Sequence, residues 1–133
     1  MILVDTSVLI GYLRGHQSST LDLFDQIERE LVSFALPVVC FQEVLQGARD
    51  EKEWRLLEDY LGGLEMVSEA DPQASHREAA RIYFDCRRKG ITLRSTIDCL
   101  IAQIALEQGA TLLHDDSDFE LIRKVRPLQT LHG

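Results

Sequence analysis

Acidic side chains at predicted strand ends and helix starts are the residues of this chain best suited to chemistry. Six of them follow short apolar segments or lie on the helices that come next: Asp5, Glu43, Asp98, Asp115, Asp116 and Asp118. Ligands of open α/β sheets bind beyond the carboxyl ends of the parallel strands, and neighbouring strands all end at that edge. Four separate stretches of the chain can therefore direct carboxylates at one point, with Asp115 predicted to face solvent.

Such a cluster of carboxylates predicts a bound metal ion. Like charges a few ångströms apart raise one another's pKa, and a cation reverses this effect. Ligand sets made only of oxygen favour Mg²⁺ or Mn²⁺ over zinc. The chemistry that fits is metal-assisted hydrolysis of a phosphodiester, in which the metal activates a water molecule and stabilises the charge of the transition state.

Each acid also has a purely structural interpretation. Asp5 could cap the first helix, because Asp is a favoured N-cap residue. Glu43 could be solvated on its helix, and Asp98 could complement a helix dipole. Asp118 lies inside a capping box that begins at Ser117, where an acid is favoured in any case. Taken together, the order of the acids and their strand contexts favour one shared site.

The elements that would position these acids alternate between strand and helix. Short apolar segments predict strands at residues 2–4, 32–36, 64–67, 111–113 and 127–131. Helices are predicted to begin at Thr6 or Ser7, Ser18–Ser19, Pro37, Asp50, Asp71–Pro72, Ser95 or Thr96, and in a capping box from Ser117 to Glu120. This alternation predicts parallel strands joined by right-handed crossovers, with helices on both faces of the sheet. With no linker or repeat between them, residues 1–133 are expected to form a single domain.

Composition narrows the class of protein further. The chain has 133 residues, which suits one domain with a real core. No apolar run approaches the ~20 residues needed to cross a bilayer. There is no basic segment before the first apolar residues, as a signal peptide would have. The three cysteines form no CxxC pair and fit a reducing cytosol, so a cytoplasmic location is expected. A net charge of −8 argues against nucleic acid as a partner, unless metal-binding carboxylates supply part of it.

Four motifs in order resemble those of PIN-domain ribonucleases. They are Val4-Asp5-Thr6-Ser7, Glu43 with Gly47, Ser95-Thr96-Ile97-Asp98-Cys99-Leu100-Ile101-Ala102 and Asp116-Ser117-Asp118-Phe119. Within that family, the size of the chain and the coverage of residues 1 to about 131 resemble the VapC toxins of toxin–antitoxin pairs. Each motif alone is weak, whereas all four in so short a chain are specific. The small hydroxyl residue that the family often has before the third helix is replaced here by Pro37.

This resemblance implies a three-layer α/β/α Rossmann-like domain with strand order 3-2-1-4-5 and an Mg²⁺-dependent endoribonuclease site, with Mn²⁺ as a plausible substitute. It implies an RNA substrate, a VapB-like antitoxin that blocks the site, and homodimers. It assigns catalysis and metal binding to an acidic quartet, with a possible fifth metal ligand and a supporting hydroxyl that orients the first acid. The quartet is Asp5, Glu43, Asp98 and Asp116, the fifth ligand is Asp118, and the hydroxyl belongs to Thr6 or Ser7.

Basic residues concentrate in one part of the chain. They are Arg81, Arg87, Arg88, Lys89 and Arg94. A phosphate-binding face and a solvated helix end both fit Arg87 and Lys89. Arg94 precedes Asp98 by four residues, so it is predicted to contact the substrate or the antitoxin and not to form a structural ion pair. His114 ends a predicted strand, where a structural hydrogen bond is favoured over a role as general acid.

Three other classes of protein remain open on sequence alone. A haloacid-dehalogenase-type phosphatase also has Asp after its first strand, but it needs a second Asp where this chain has Ser7. A non-catalytic PIN-like module could use the same acids for an interface. A phosphoacceptor receiver domain would need an acid pair near the first strand and a lysine after the last, and Lys124 is poorly placed for that role.

Overall fold

Five parallel strands form the centre of the computed structural model, which describes residues 1–133. The strands are β1 (Ile2–Val4), β2 (Phe34–Pro37), β3 (Met66–Val67), β4 (Thr111–Leu113) and β5 (Gln129–Leu131). They pair in the order β3-β2-β1-β4-β5, every pair being parallel. The predicted parallel sheet and its strand order are therefore confirmed.

Seven helices connect and cover these strands. They are α1 (Thr6–Leu13), α2 (Ser19–Arg29), α3 (Val38–Leu45), α4 (Glu51–Gly62), α5 (Pro72–Arg88), α6 (Thr96–Gln108) and α7 (Asp118–Ile122). Helix α1 packs against α2 and α3, and α3 packs against α4. Helices α5, α6 and α7 pack against one another as a second group. No helix combines the length and the apolar character needed to cross a bilayer.

The central strands β1 and β4 are buried, which explains their sequences. Leu3, Val4, Leu112 and Leu113 are fully buried, so these strands are continuous apolar runs with no polar alternation. They belong to a single cluster of 28 buried hydrophobic residues that extends to both helix groups. A buried apolar sheet therefore supports the edge where the acids were predicted to meet.

Three predicted helix starts are wrong in detail. The N-cap of α1 is Asp5, whose carboxylate accepts the backbone N–H of Ser7, and not Thr6 or Ser7. The predicted capping box of α7 does not form, because Ser117 makes no side-chain capping bond and Glu120 binds other side chains. Pro37 was predicted to be the first residue of α3. It is instead the last residue of β2 and the N-cap of α3, so the helix begins one residue later, at Val38.

Helices α5 and α6 run antiparallel, which determines what lies near the carboxyl edge of the sheet. The hydroxyl of Ser75, near the start of α5, hydrogen bonds the carboxylate of Glu107, near the end of α6. The other end of α5 is therefore brought back beside the start of α6. A short connection, residues 89–95, joins these two ends.

Candidate active site

Asp5 is held at the carboxyl end of β1 by its own helix. Its backbone N–H donates to the carbonyl of Leu113, so the residue continues the β1–β4 pairing. Its Oδ2 accepts hydrogen bonds from the backbone N–H of Ser7 at 3.0 Å and from the Ser7 hydroxyl at 2.5 Å. The side chain is buried, and Oδ1 has no hydrogen-bond partner. Burial raises the pKa of Asp5 to about 6, although the bonds from Ser7 lower it.

Glu43 is directed by the other hydroxyl residue of the first motif. The Thr6 hydroxyl donates to Glu43 Oε1 at 2.8 Å, which links the start of α1 to the middle of α3. Glu43 is half-buried rather than solvated on an outer helix face. The two adjacent hydroxyls therefore orient two different acids: Ser7 holds Asp5, and Thr6 holds Glu43.

Asp98 lies at the centre of the acids. Ser95 caps α6 by accepting the backbone N–H of Ile97, and this cap fixes the helix turn that carries Asp98. Asp98 is only 9% exposed. Burial raises its pKa to about 8, and the negative charges that add to this effect come from the acids of the other three motifs, Asp5, Asp116, Asp118 and Glu43. The four sequence motifs thus converge on one carboxyl group.

Asp116 and Asp118 complete the cluster in the loop after β4. Asp116 Oδ1 accepts the backbone N–H of Asp118 at 3.0 Å, which folds the loop into the start of α7. Asp118 is 4% exposed and Asp116 is half-buried. Asp115, between this pair and β4, is exposed and accepts a hydrogen bond from the Ser18 hydroxyl, so it faces away as predicted.

Arg94 contacts two of these acids directly. Its Nη2 lies 2.6 Å from Asp116 Oδ1, and its Nε lies 3.2 Å from Asp118 Oδ2. The backbone N–H of Arg94 also donates to Asp118 Oδ2. The prediction that Arg94 forms no structural ion pair is therefore wrong, because the connection from α5 places its guanidinium against the carboxylates. Its side chain is still 70% exposed, so contact with a substrate or an antitoxin stays a prediction.

The donor atoms of this cluster suit a hard divalent cation. Carboxylate oxygens of Asp98, Asp116 and Asp118 all lie within 4.8 Å of one another. Asp5 adds a buried oxygen with no partner, which is an uncommon arrangement unless an ion or a water molecule satisfies it. No nitrogen or sulfur ligand faces these oxygens from the same cluster. The residues present therefore fit Mg²⁺ or Mn²⁺.

His114 supports the loop rather than facing the acids. Its Nδ1 accepts the backbone N–H of Asp116, so its proton lies on Nε2 and is donated to Glu120 at 2.7 Å. Burial lowers the pKa of His114, against the opposing effect of its hydrogen bond to Glu120. Despite burial, hydrogen bonds from Arg123 and His114 lower the pKa of Glu120 to about 2. This arrangement positions the backbone that carries Asp116.

Sequence reasoning missed two contacts of the site. The Ser7 hydroxyl accepts the backbone N–H of Asp115 while it donates to Asp5, so it joins the loops after β1 and β4. Arg94 neutralises part of the cluster. In the sequence, the only indication of these two contacts is that Ser7 and Arg94 each lie within a few positions of an acid.

Comparisons with known proteins agree with this geometry. The model of the PIN domain family matches residues 2–125. Ribonuclease VapC11 of Mycobacterium tuberculosis (strain H37Rv) is 36% identical over 130 residues, covering 97% of this chain and 96% of that protein. Ribonuclease VapC51 of the same organism is 34% identical over 83 residues, which span 62% of this chain and 59% of its own length.

Solved structures show the same fold at low sequence identity. VapBC2 from Rickettsia felis, bound to a DNA fragment from its promoter, has a TM-score of 0.76 and 18% identity, covering 100% of this chain and 99% of its own. FitAcB from Neisseria gonorrhoeae has a TM-score of 0.74 and 19% identity, with 99% and 97% covered. VapBC-1 from nontypeable Haemophilus influenzae has a TM-score of 0.72 and 19% identity, with 99% and 98% covered.

Proposed function

The chain belongs to the PIN domain family, as a VapC-like ribonuclease toxin, and from this premise we propose that it is an Mg²⁺-dependent endoribonuclease that hydrolyses RNA phosphodiester bonds. One observation carries the proposal: Asp98 is buried among carboxylates from three other motifs, all of them oxygen donors. Such a cluster is unfavourable without a cation, and a divalent ion is the cation that these donors select.

The residues of the cluster have distinct tasks in this proposal. Asp98, Asp116 and Asp118 would hold the metal together with the free oxygen of Asp5, and Glu43 would complete the negative site. When bound, the metal lowers the pKa of a water molecule and stabilises the charge that develops on the phosphate oxygens. Because Ser7 binds one oxygen of Asp5, it leaves the other free to serve as a ligand.

The remaining groups position the acids or bind the substrate. Thr6 holds Glu43 towards the cluster, and the Ser95 cap holds the turn that carries Asp98. Arg94 extends an exposed guanidinium from the rim of the site, where it can bind a phosphate next to the one that is cleaved. In this proposal the acids would hold the metal and Arg94 would hold a neighbouring phosphate.

The relatives also support a proposal about partners. Structures similar to this one are VapBC toxin–antitoxin complexes. We propose that a VapB-like antitoxin inhibits this chain by covering the acidic cluster, and that the chain forms a homodimer. Residues 1–133 act as one PIN domain in this proposal. Size measurements of the purified chain, alone and with its co-expressed antitoxin, test both associations.

Incubation of the purified chain with RNA tests the catalytic proposal. Internal cleavage is expected with Mg²⁺ or Mn²⁺ and should stop in excess EDTA. Asp98→Asn should lower the rate by orders of magnitude, whereas Asp59→Asn, which changes an exposed carboxylate in no ion pair, should not. Undiminished cleavage in EDTA would refute the metal mechanism. A metal-bound chain that cleaves no RNA would instead favour the non-catalytic module.

The phosphatase alternative receives no support from the geometry. That class needs a second acid two residues after the first, and Ser7 stands there with its hydroxyl bonded to Asp5. The acids lie in four stretches around Asp98 rather than as one pair beside β1. Release of inorganic phosphate from a phosphomonoester, without RNA cleavage, would revive this alternative.

A further inference from the structure

A basic surface lies on the C-terminal half of α5, outside the acidic cluster. It consists of Arg81, Phe84, Arg87, Arg88, Lys89 and Lys124, which we call the α5 ridge. Lys124 belongs to the segment after α7, and the Lys89 ammonium lies 3.4 Å from its carbonyl oxygen. A concentrated positive surface is unusual in a chain whose net charge is −8.

Most cations of the α5 ridge have no acidic partner. Asp85 is an acid next to the α5 ridge, and its carboxylate binds Arg81 at 3.0 Å and Arg126 at 2.9 Å. Four exposed cations make no ion pair: Arg87, Arg88, Lys89 and Lys124. The α5 ridge therefore keeps a net positive charge that is available to an anion.

The α5 ridge also contains an aromatic ring surrounded by guanidinium groups. Phe84 is half-buried, and the guanidinium carbons of Arg81, Arg88 and Arg87 lie 4.7, 5.7 and 5.8 Å from its ring centroid. Contacts with the ring hold flexible arginine side chains near one another. Proteins that bind single-stranded nucleic acid combine a basic groove with aromatic and arginine planes on which bases stack.

The position of the α5 ridge connects it to the acidic cluster. Helix α5 runs antiparallel to α6, so the end that carries the α5 ridge lies beside the start of α6, whose first turn carries Asp98. Lys89 precedes Arg94 by five residues, so their Cα atoms are no more than about 18 Å apart. Arg94 in turn contacts Asp116 and Asp118. The α5 ridge therefore lies within about 18 Å of the rim of the site at Arg94.

We propose that the α5 ridge binds the sugar–phosphate backbone of single-stranded RNA next to the segment that is cleaved. This inference rests on the proposed endoribonuclease function. An acidic protein with an acidic site repels RNA unless a separate surface attracts it. The α5 ridge would supply that attractive surface. Successive phosphates suit several unpaired cations in a row, and unpaired bases suit the arginine planes over Phe84.

Equilibrium binding of a fluorescent single-stranded RNA of 25 nucleotides tests the proposal. Asp98→Asn serves as the background, because it prevents cleavage. Adding Arg87→Gln/Arg88→Gln/Lys89→Gln should weaken binding between about tenfold and 100-fold at 0.1 M salt and reduce the log–log salt slope by about 2, since each phosphate contact contributes ~0.7. The control is Arg29→Gln/Lys52→Gln/Arg55→Gln, which removes the same charge from α2 and α4 and should leave the slope unchanged.

Two further measurements keep the outcome clear. Arg87→Lys/Arg88→Lys keeps the charge and should retain the salt slope; loss of the slope here would mean that the arginines act through folding, and would overturn the proposal. Equal RNA binding by the triple variant and its control would also overturn the proposal. The second measurement is binding of poly-glutamate: if the triple variant loses affinity for poly-glutamate but keeps its affinity for RNA, the α5 ridge binds an acidic protein partner, and the proposal is overturned. Failure of the wild type to cleave RNA is a separate result, and it concerns the proposed function only.

Discussion

Replacement of Asp98 by asparagine should stabilise the metal-free protein while it removes activity. The carboxyl group is 9% exposed, and burial, together with the negative charges of the other acids in the cluster, raises its pKa from 3.8 to about 8. A group whose folded-state pKa is raised binds its proton more tightly in the folded protein than in the unfolded chain. Its ionisation therefore opposes folding above its unfolded pKa.

The sign of the pH dependence follows from this shift. From pH of about 4 to about 8 the unfolded chain has lost the proton of Asp98 while the folded protein retains it, so the free energy of unfolding falls as the pH rises. Asp5, with a pKa of about 6, adds to this fall in the lower part of the range. These two groups should therefore make the metal-free protein progressively less stable as the pH rises from about 4 to about 8.

The size of the effect follows from the same shift. Each pKa unit corresponds to ~1.4 kcal/mol, so a shift of this size represents at most about 5 kcal/mol at pH 8. Solvent at the open edge of the sheet screens the charge, so we expect roughly half of this free energy. The substitution should therefore raise the free energy of unfolding by about 2.5 kcal/mol. For a chain of this length the gain corresponds to a Tm increase of about 8 °C at pH 8, and to much less at pH 5.

Thermal unfolding of four samples measures the prediction: the wild type and Asp98→Asn, each in EDTA and in Mg²⁺. Mg²⁺ should raise the Tm of the wild type by mass action and do much less for the variant. Asp59→Asn, on the exposed surface of α4, is the control for loss of one negative charge. A metal-free Asp98→Asn that melts no higher than the wild type at pH 8, or equal Mg²⁺ shifts in both, would refute the reasoning.

Further substitutions test the neighbouring contacts. Asp5→Asn should abolish cleavage with the fold retained in circular dichroism, and a near wild-type rate would show that the site is misassigned. Arg94→Ala should lower the Tm in EDTA and enlarge the Mg²⁺ shift, because a cation is removed from Asp116 and Asp118; an unchanged Tm with weaker RNA binding would favour a pure substrate role. Ser95→Ala should cost about 1 kcal/mol in chemical denaturation through loss of the α6 cap.

The sequence alone determined the frame of the site. The apolar runs at residues 2–4 and 111–113 identified buried parallel strands, because such strands have no polar face. Asp71–Pro72 and Ser95 placed the starts of α5 and α6, because caps act through neighbours in the chain. Since parallel strands end at one edge, these local signals were enough to bring Asp5 and Asp98 together.

Only the tertiary structure decided how the acids are oriented and neutralised. Thr6 meets Glu43 across 37 residues, and Arg94 meets Asp116 across 22, through a sheet order that no local periodicity encodes. Contacts between side chains also explain why the predicted capping box is absent: Glu120 binds His114 and Arg123 rather than a backbone N–H. Spacing along the chain predicts which residues share an edge, but the partner of each polar group is the one that packing of distant segments brings within hydrogen-bond distance.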